Sequence, residues 1–212
     1  MNKTDLKKYI ARTAYNVGFG AKKNYASYDI VRNANEYISI ISMIIGVLAL
    51  VSESLNGKFI SASLLIAGIV GLYINKFDCD LERYEKIGKN YLRLFNSLTK
   101  LYLKANQTND ENDLINIERD VSIIEDEFYR ERFSKQVYLS DWVAHYKFFF
   151  QYQSDWVVKE LNLKFFKDKI PSSFKLFLLI FIFSFLLSFK MLPIFWLSHR
   201  IASGDRLDLV SD

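Results

Sequence analysis

Polar and apolar positions are segregated along this chain, and the pattern predicts helices. Over residues 3–36, Leu6, Ile10, Ala14, Val17 and Ala21 recur at helical spacing among charged residues, which predicts one amphipathic helix. Gly18 and Gly20 weaken its middle and predict room for a bend. Charges stop at Glu36 and resume at Glu53, leaving the uncharged run YISIISMIIGVLALVS. A second uncharged run, FISASLLIAGIVGLYIN, covers Phe59 to Asn75. As helices these runs are about 24–26 Å long, slightly short of the ~30 Å hydrocarbon core of a bilayer. Between them ESLNGK is short and contains Asn56 and Gly57, as a tight turn between antiparallel helices requires. The expected element is a two-span transmembrane hairpin, with spans about 37–52 and 59–75. A buried helical hairpin in a soluble protein is the alternative.

Beyond the hairpin, Leu81, Tyr84, Ile87, Tyr91, Leu94, Leu98 and Leu101 step by three and four. They predict a helix with one apolar seam, continuous with the second span and ending near Ala105. Residues 1–105 thus form one block. NQTNDEND, 106–113, reads as a linker. Leu114, Ile117, Val121, Ile124 and Phe128 then form a second seam. The two seams are expected to pack on each other as an antiparallel hairpin, with oligomerisation the sharper alternative. The region 114–170 is rich in aromatics, Trp142 and Trp156 among them, with lysines interspersed. Membrane-interface anchoring and core packing explain that mixture equally well. A third apolar run, 171–198, places 14 uncharged residues between Lys175 and Lys190, about 21 Å of helix. Snorkelling lysines extend its reach, Phe195 and Trp196 suit a far interface, and Pro193 ends or kinks it. A third span is expected, a re-entrant segment is the competitor, and 199–212 is a polar tail.

The fold class is therefore all-α: a two-span membrane hairpin, a helical hairpin domain and a C-terminal third span. Composition agrees, since 50% hydrophobic and 25% charged residues coexist at a mean hydropathy of +0.03. Basic residues cluster on both sides of the hairpin and the tip has one Lys and one Glu. The positive-inside rule then puts the N-terminus in the cytoplasm and the tip outside. The start, MNKTDLKKYIARTAY, lacks the apolar core of a cleavable signal. A net charge of +4 without a basic, stacking-aromatic pattern gives no expectation of direct nucleic-acid binding. A single cysteine, Cys79, allows neither an internal disulfide nor a cysteine-based zinc site.

No phosphate loop, nucleophile elbow or HExxH motif is present. Asp141 and His145 form an i,i+4 pair that could share a hydrogen bond, without a third ligand or nucleophile. Glu125, Asp126 and Glu127 read as a solvated face. No catalytic residue, metal or cofactor is expected. The distinctive chemistry lies in the hairpin. Ser39, Ser42, Gly46, Ala49, Ser52 and Glu53 form one small or polar face; Ser63, Ala67, Gly71 and Asn75 form another. Such rows let membrane helices approach closely. They face each other within one hairpin, or else they face neighbouring chains or a lumen with Glu53 and Asn75 at its two ends.

The N-terminal helix KKYIARTAYNVGFGAKKNYASYDIVRNANEYI, the hairpin and the helix beginning FDCDLERYEKIGKNYLRLFNSLTKLY together resemble the SLATT family. These are two-transmembrane effectors found beside nucleotide-synthesising and nucleotide-sensing proteins in bacteria. The likeness covers roughly residues 5–170 and is closest to members with an extra C-terminal apolar region, some encoded beside reverse transcriptases. The resemblance implies an inner-membrane effector of an antiviral conflict system that assembles as a homo-oligomer and permeabilises the bilayer on activation. It also implies a nucleotide-signalling or reverse-transcriptase-linked protein partner. A passive anchor that docks a soluble partner through Trp142 and Trp156 is the alternative.

Overall fold

A computed structural model describes residues 1–51, 57–152 and 154–185, with only the backbone of Phe59. Ser52, Glu53 and the rest of the turn to Asn56 lie outside the described residues. So do Lys190, Pro193, Phe195, Trp196, His199 and the tail 199–212, so the end of the expected third span falls there too.

Every element among the described residues is helical. The helices are α1 (Lys3–Val51), α2 (Lys58–Asn75), a 3-10 turn (Asp78–Asp80), α3 (Leu81–Gln107), α4 (Glu111–Arg130), α5 (Ser140–Phe150), α6 (Asp155–Glu160) and α7 (Phe165–Asp168). An apolar helix, α8 (Ser172–Phe185), comes last. The chain divides into Met1–Lys169 and Ile170–Asp212. Within the second unit, α8 is a helix with exposed Leu176, Phe177, Leu179, Phe181 and Phe183.

In the first unit α1 is the axis. Asn2 and Asp5 cap its start reciprocally: the Asp5 N–H donates to Asn2 Oδ1 at 2.8 Å, and Asn2 Nδ2 donates to Asp5 Oδ2 at 2.6 Å. From there α1 runs 49 residues without a break, about 73 Å. The helix continues unbroken through Gly18 and Gly20, where the sequence predicts room for a bend. These glycines serve packing: a Cβ on Gly18 would lie 2.6 Å from Phe95 and 2.8 Å from Phe148, and one on Gly20 would lie 3.2 Å from Tyr91 and Phe128.

The seam of α3 packs chiefly on α1 and less on α4. Leu6, Ile10, Ala14, Val17 and Ala21 meet Ile87, Tyr91, Leu94, Phe95 and Leu98, and Leu114, Ile117 and Val121 of α4 close the same core. The α3–α4 pairing thus exists as part of a larger bundle. Asp110 caps α4, accepting from the Asp113 N–H at 3.3 Å. Charged groups tie the helices together. Glu125 accepts from Tyr9 Oη at 2.7 Å, and Glu127 pairs with Arg93 at 2.5 Å. The acidic run is therefore not purely solvated, because two of its three carboxylates hold neighbouring helices. The Asp141 carboxylate likewise binds Lys23 at 2.7 Å, while His145 Nδ1 meets the Asp141 backbone carbonyl at 2.9 Å. The side-chain pairing expected between Asp141 and His145 is replaced by these two contacts.

The second span and the long helix follow one another directly, with the helix tightening at their junction. The Phe77 N–H donates to the Ile74 carbonyl and the Asp80 N–H to the Phe77 carbonyl, both at 2.9 Å, so the chain tightens into a 3-10 turn between α2 and α3.

Candidate functional site: the apolar hairpin and its root

The end of α1 and all of α2 lie side by side and are long and apolar enough to span a membrane. The contact is a heptad-like seam. On α1 the covered positions are Ile38, Ser42, Ile45 and Ala49; on α2 they are Ile60, Leu64, Ala67, Gly71 and Ile74. The spacing of three and four keeps one stripe facing the partner helix. Gly71 is buried, and a Cβ there would sit 3.4 Å from Asn35 Oδ1 and 3.7 Å from Ile38 Cδ1. Ile41, Met43, Ile44, Val47, Leu48 and Leu50 stay exposed on α1, as do Leu65, Ile66, Ile69 and Leu72 on α2. Such a surface is stable in hydrocarbon and costly in water.

The structure thereby divides the two small-residue rows. Ser42, Ala49, Ala67 and Gly71 line the seam within the hairpin. Ser39 and Gly46 face outward, and a Cβ on Gly46 would meet nothing within 4 Å. Gly68 of α2 is equally open. Asn75 accepts a short hydrogen bond from Asn35 Nδ2 across the base of the hairpin. Glu53, expected at the opposite end, is outside the described residues.

Below that bond is a collar that sequence reasoning missed. Val31, Ile74, Phe77, Tyr84 and Val137 form a second small core at the hairpin's root. Tyr84 Oη donates to the Lys135 carbonyl at 2.9 Å, and Lys135 pairs with Asp80 at 2.6 Å while its ammonium lies 5.3 Å from the Phe77 ring centre. Burial, with help from Asp80, pushes the Tyr84 hydroxyl up to about 12. The loop 131–139 is thus stitched to the junction between α2 and α3. Val137 and Lys135 carry no periodic signal of their own. Asn35 could have been found, since it and Asn75 are polar residues bordering the two apolar runs.

The aromatics of 133–170 divide between the core and the surface. Trp156 belongs to the core, stacked on Tyr102 at 4.4 Å and tilted toward Phe95 at 6.0 Å. Trp142 is half-buried. Tyr146, Phe150, Phe165 and Phe166 are exposed and touch in series, with ring centres 5.2–6.2 Å apart. Lys22 lies half-buried over Tyr152, 3.8 Å from the ring centre. Burial and then Lys147 pull its pKa below the ordinary lysine value. Among the described residues, no group of three or more His, Cys, Asp or Glu side chains is placed to hold a metal ion.

Comparison with curated proteins and with solved structures finds no match. A family model does match, over residues 1–178, which takes in the whole first unit and the start of α8. The chain belongs to that family, the SMODS and SLOG-associating 2TM effector domain 6 (SLATT_6), and the two apolar helices are the pair its name describes.

Proposed function

We propose that this protein is an effector of a bacterial conflict system that oligomerises in the inner membrane and permeabilises it when activated. The observation that carries this reading is the open face of Gly46. The hairpin satisfies its own packing through Ser42, Ala49, Ala67 and Gly71 and leaves Gly46 and Gly68 uncovered. Small residues on an outward apolar face let a second hairpin approach closely. Several hairpins joined there would create a polar path that one hairpin cannot. Basic residues on both sides of the hairpin put the packed domain and the N-terminus in the cytoplasm. The segment 171–198 crosses as a third span in this reading, and activation comes from a nucleotide-signalling or reverse-transcriptase-linked partner.

The test is membrane potential, read by dye uptake, in bacteria expressing the full chain or Gly46→Leu. Leucine at position 46 displaces nothing in the single chain but blocks an approaching helix. Depolarisation by the full chain and its loss in the variant is the expected result. Equal depolarisation by both overturns the role of this face.

The exposed series Tyr146, Phe150, Phe165 and Phe166 favours a second reading, an anchor that docks a soluble partner. Under it, serine at Phe150 and Phe166 abolishes function while Gly46→Leu does not.

A further inference from the structure

The loop between α4 and α5 turns over at the end of the packed domain nearest the hairpin. α4 climbs along α1: Glu118 pairs with the Met1 ammonium, Glu125 accepts from Tyr9, and Phe128 lies against Gly20. α5 descends it: Asp141 pairs with Lys23, His145 meets Phe19 at 4.7 Å, and Phe149 meets Tyr15 at 6.3 Å. The turn between them is held from below. Lys135 is paired with Asp80, Gln136 accepts from Ser27 at 2.7 Å, and Val137 is buried beside Val31, Ile74 and Phe77. Val31 stands six residues before Tyr37, where the uncharged run begins, a rise of about 9 Å. Ile74 still belongs to the second apolar run. The loop therefore reaches the level at which the hairpin leaves the bilayer, where a headgroup layer about 5–8 Å deep borders the hydrocarbon. Tyr37 and Tyr73, exposed near the ends of the two apolar runs, mark the same level.

At the top of this loop stand Tyr138 and Leu139, 75% and 45% exposed. A single exposed apolar side chain means little on a protein surface. These two form the corners of a tight turn, closed by the Ser140 N–H donating to the Val137 carbonyl at 3.1 Å. Leu139 holds φ 70° and ψ −8°, the third position of a type II turn, where glycine or asparagine fits without strain. The chain keeps a strained leucine where a smaller residue would cost less, and leaves it half exposed beside a tyrosine. Backbone strain of this kind persists where the surroundings overdetermine it, and it clusters at functional sites. Val137 and Ser140 on either side are buried, so the turn is a braced wedge. Charge does not select this surface, because Lys76, Arg83 and Lys135 around the hairpin's root are matched by Asp78, Asp80 and Glu82. Its chemistry is apolar and aromatic.

We propose that the 137–140 turn is a lipid-contacting wedge: Tyr138 and Leu139 insert among the headgroups of the leaflet on the domain's side and seat the domain against the membrane. The occupant is the bilayer that the hairpin itself crosses. The inference goes beyond the proposed function, since it rests on that crossing and not on pore formation. Because the loop is stitched to the hairpin's root, the wedge also sets how deep the hairpin sits.

The experiment places an NBD fluorophore on Tyr138→Cys in a Cys79→Ser background. The full chain is reconstituted into vesicles of phosphatidylethanolamine with phosphatidylglycerol, or of phosphatidylcholine alone. Asn112→Cys, exposed at the opposite end of the domain, is the reference site. The label at 138 is expected to be blue-shifted, quenched by a nitroxide attached near the lipid headgroup, and shielded from aqueous iodide, in both vesicles and at high salt. The label at 112 should show the reverse. Leu139→Gly relieves the strained backbone, so it should keep or raise the unfolding temperature while weakening lipid quenching at 138. Iodide quenching at 138 equal to that at 112 overturns the proposal. So does shielding from iodide without lipid quenching, which means that protein covers the turn. Insertion confined to phosphatidylglycerol vesicles and lost at high salt overturns the apolar wedge. Lipid quenching unmoved by Leu139→Gly strikes Leu139 from it. Dye release from the same vesicles is read in parallel. Insertion without leak sustains the wedge and counts against the pore, whereas leak without insertion does the reverse.

Discussion

The two ends of α1 are one unbroken helix with opposite environments. From Leu6 to Val31 it buries a residue at nearly every turn, and beyond Val31 it buries none. Its glycines record the change. Gly18 is pressed by Phe95 and Phe148, whereas Gly46 has no neighbour within 4 Å. Where the chain makes its own partners, a missing side chain admits another part of the same fold. Where it does not, the same absence leaves a face open to lipid or to another chain. Burial, more than helix propensity, distinguishes the domain from the hairpin.

The largest expected effect sharpens that contrast directly. Gly18→Leu should destabilise the packed domain by about 3 kcal/mol or more through overpacking, while Gly46→Leu should change stability by under ~0.5 kcal/mol. Chemical denaturation of the full chain in detergent, followed by tryptophan fluorescence, checks both. A tolerant Gly18 would break the comparison.

Alkaline titration comes next. The hydroxyls of Tyr84 and Tyr91 are pushed up to about 12, chiefly by burial, so folding favours their neutral form. Their contribution is complete below the unfolded value of ~10 and is lost as pH rises toward 12. Unfolding monitored between those limits should show the packed domain yielding, and Tyr91→Phe should reduce that pH dependence. A flat profile would contradict the burial.

Smaller still is the bond at the hairpin's base. Asn75→Ala should cost about 1 kcal/mol, seen as faster hydrogen exchange from Asn75 to Asp80 with the domain's core unaffected. The smallest effect has the opposite sign. Leu139 sits at φ 70°, a left-handed conformation that leucine tolerates poorly. Leu139→Gly should gain up to about 1 kcal/mol in unfolding free energy.

Much of this architecture was legible from spacing alone. The uncharged runs marked the two apolar helices, and Leu6, Ile10, Val17, Leu94, Leu98, Ile117 and Val121 were all read as seam positions and all lie in the core. Spacing reports which face of a helix is apolar. It does not report which helix will cover that face. The α3 seam therefore went to α4 in expectation and chiefly to α1 in the structure. The same limit hid the tethers that join distant positions, such as Tyr9 to Glu125 and Ser27 to Gln136. It also concealed which small residues of the hairpin face inward. Ser42 and Gly46 are one turn apart and look equivalent in a helical row, yet the seam alternates three and four and passes Gly46 by.

The continuity of α1 has a final consequence, in angular phase. Each residue advances a helix by about 100°, and no joint separates Val31 in the root from Ile38 in the seam. One residue inserted between them would swing Gly46 about a quarter-turn relative to the domain beneath it. Seven inserted residues, nearly two full turns, would restore its bearing and only lengthen the stem. The domain therefore sets the compass direction in which the hairpin's open face points. A rotation of the domain about α1 would turn that face with it.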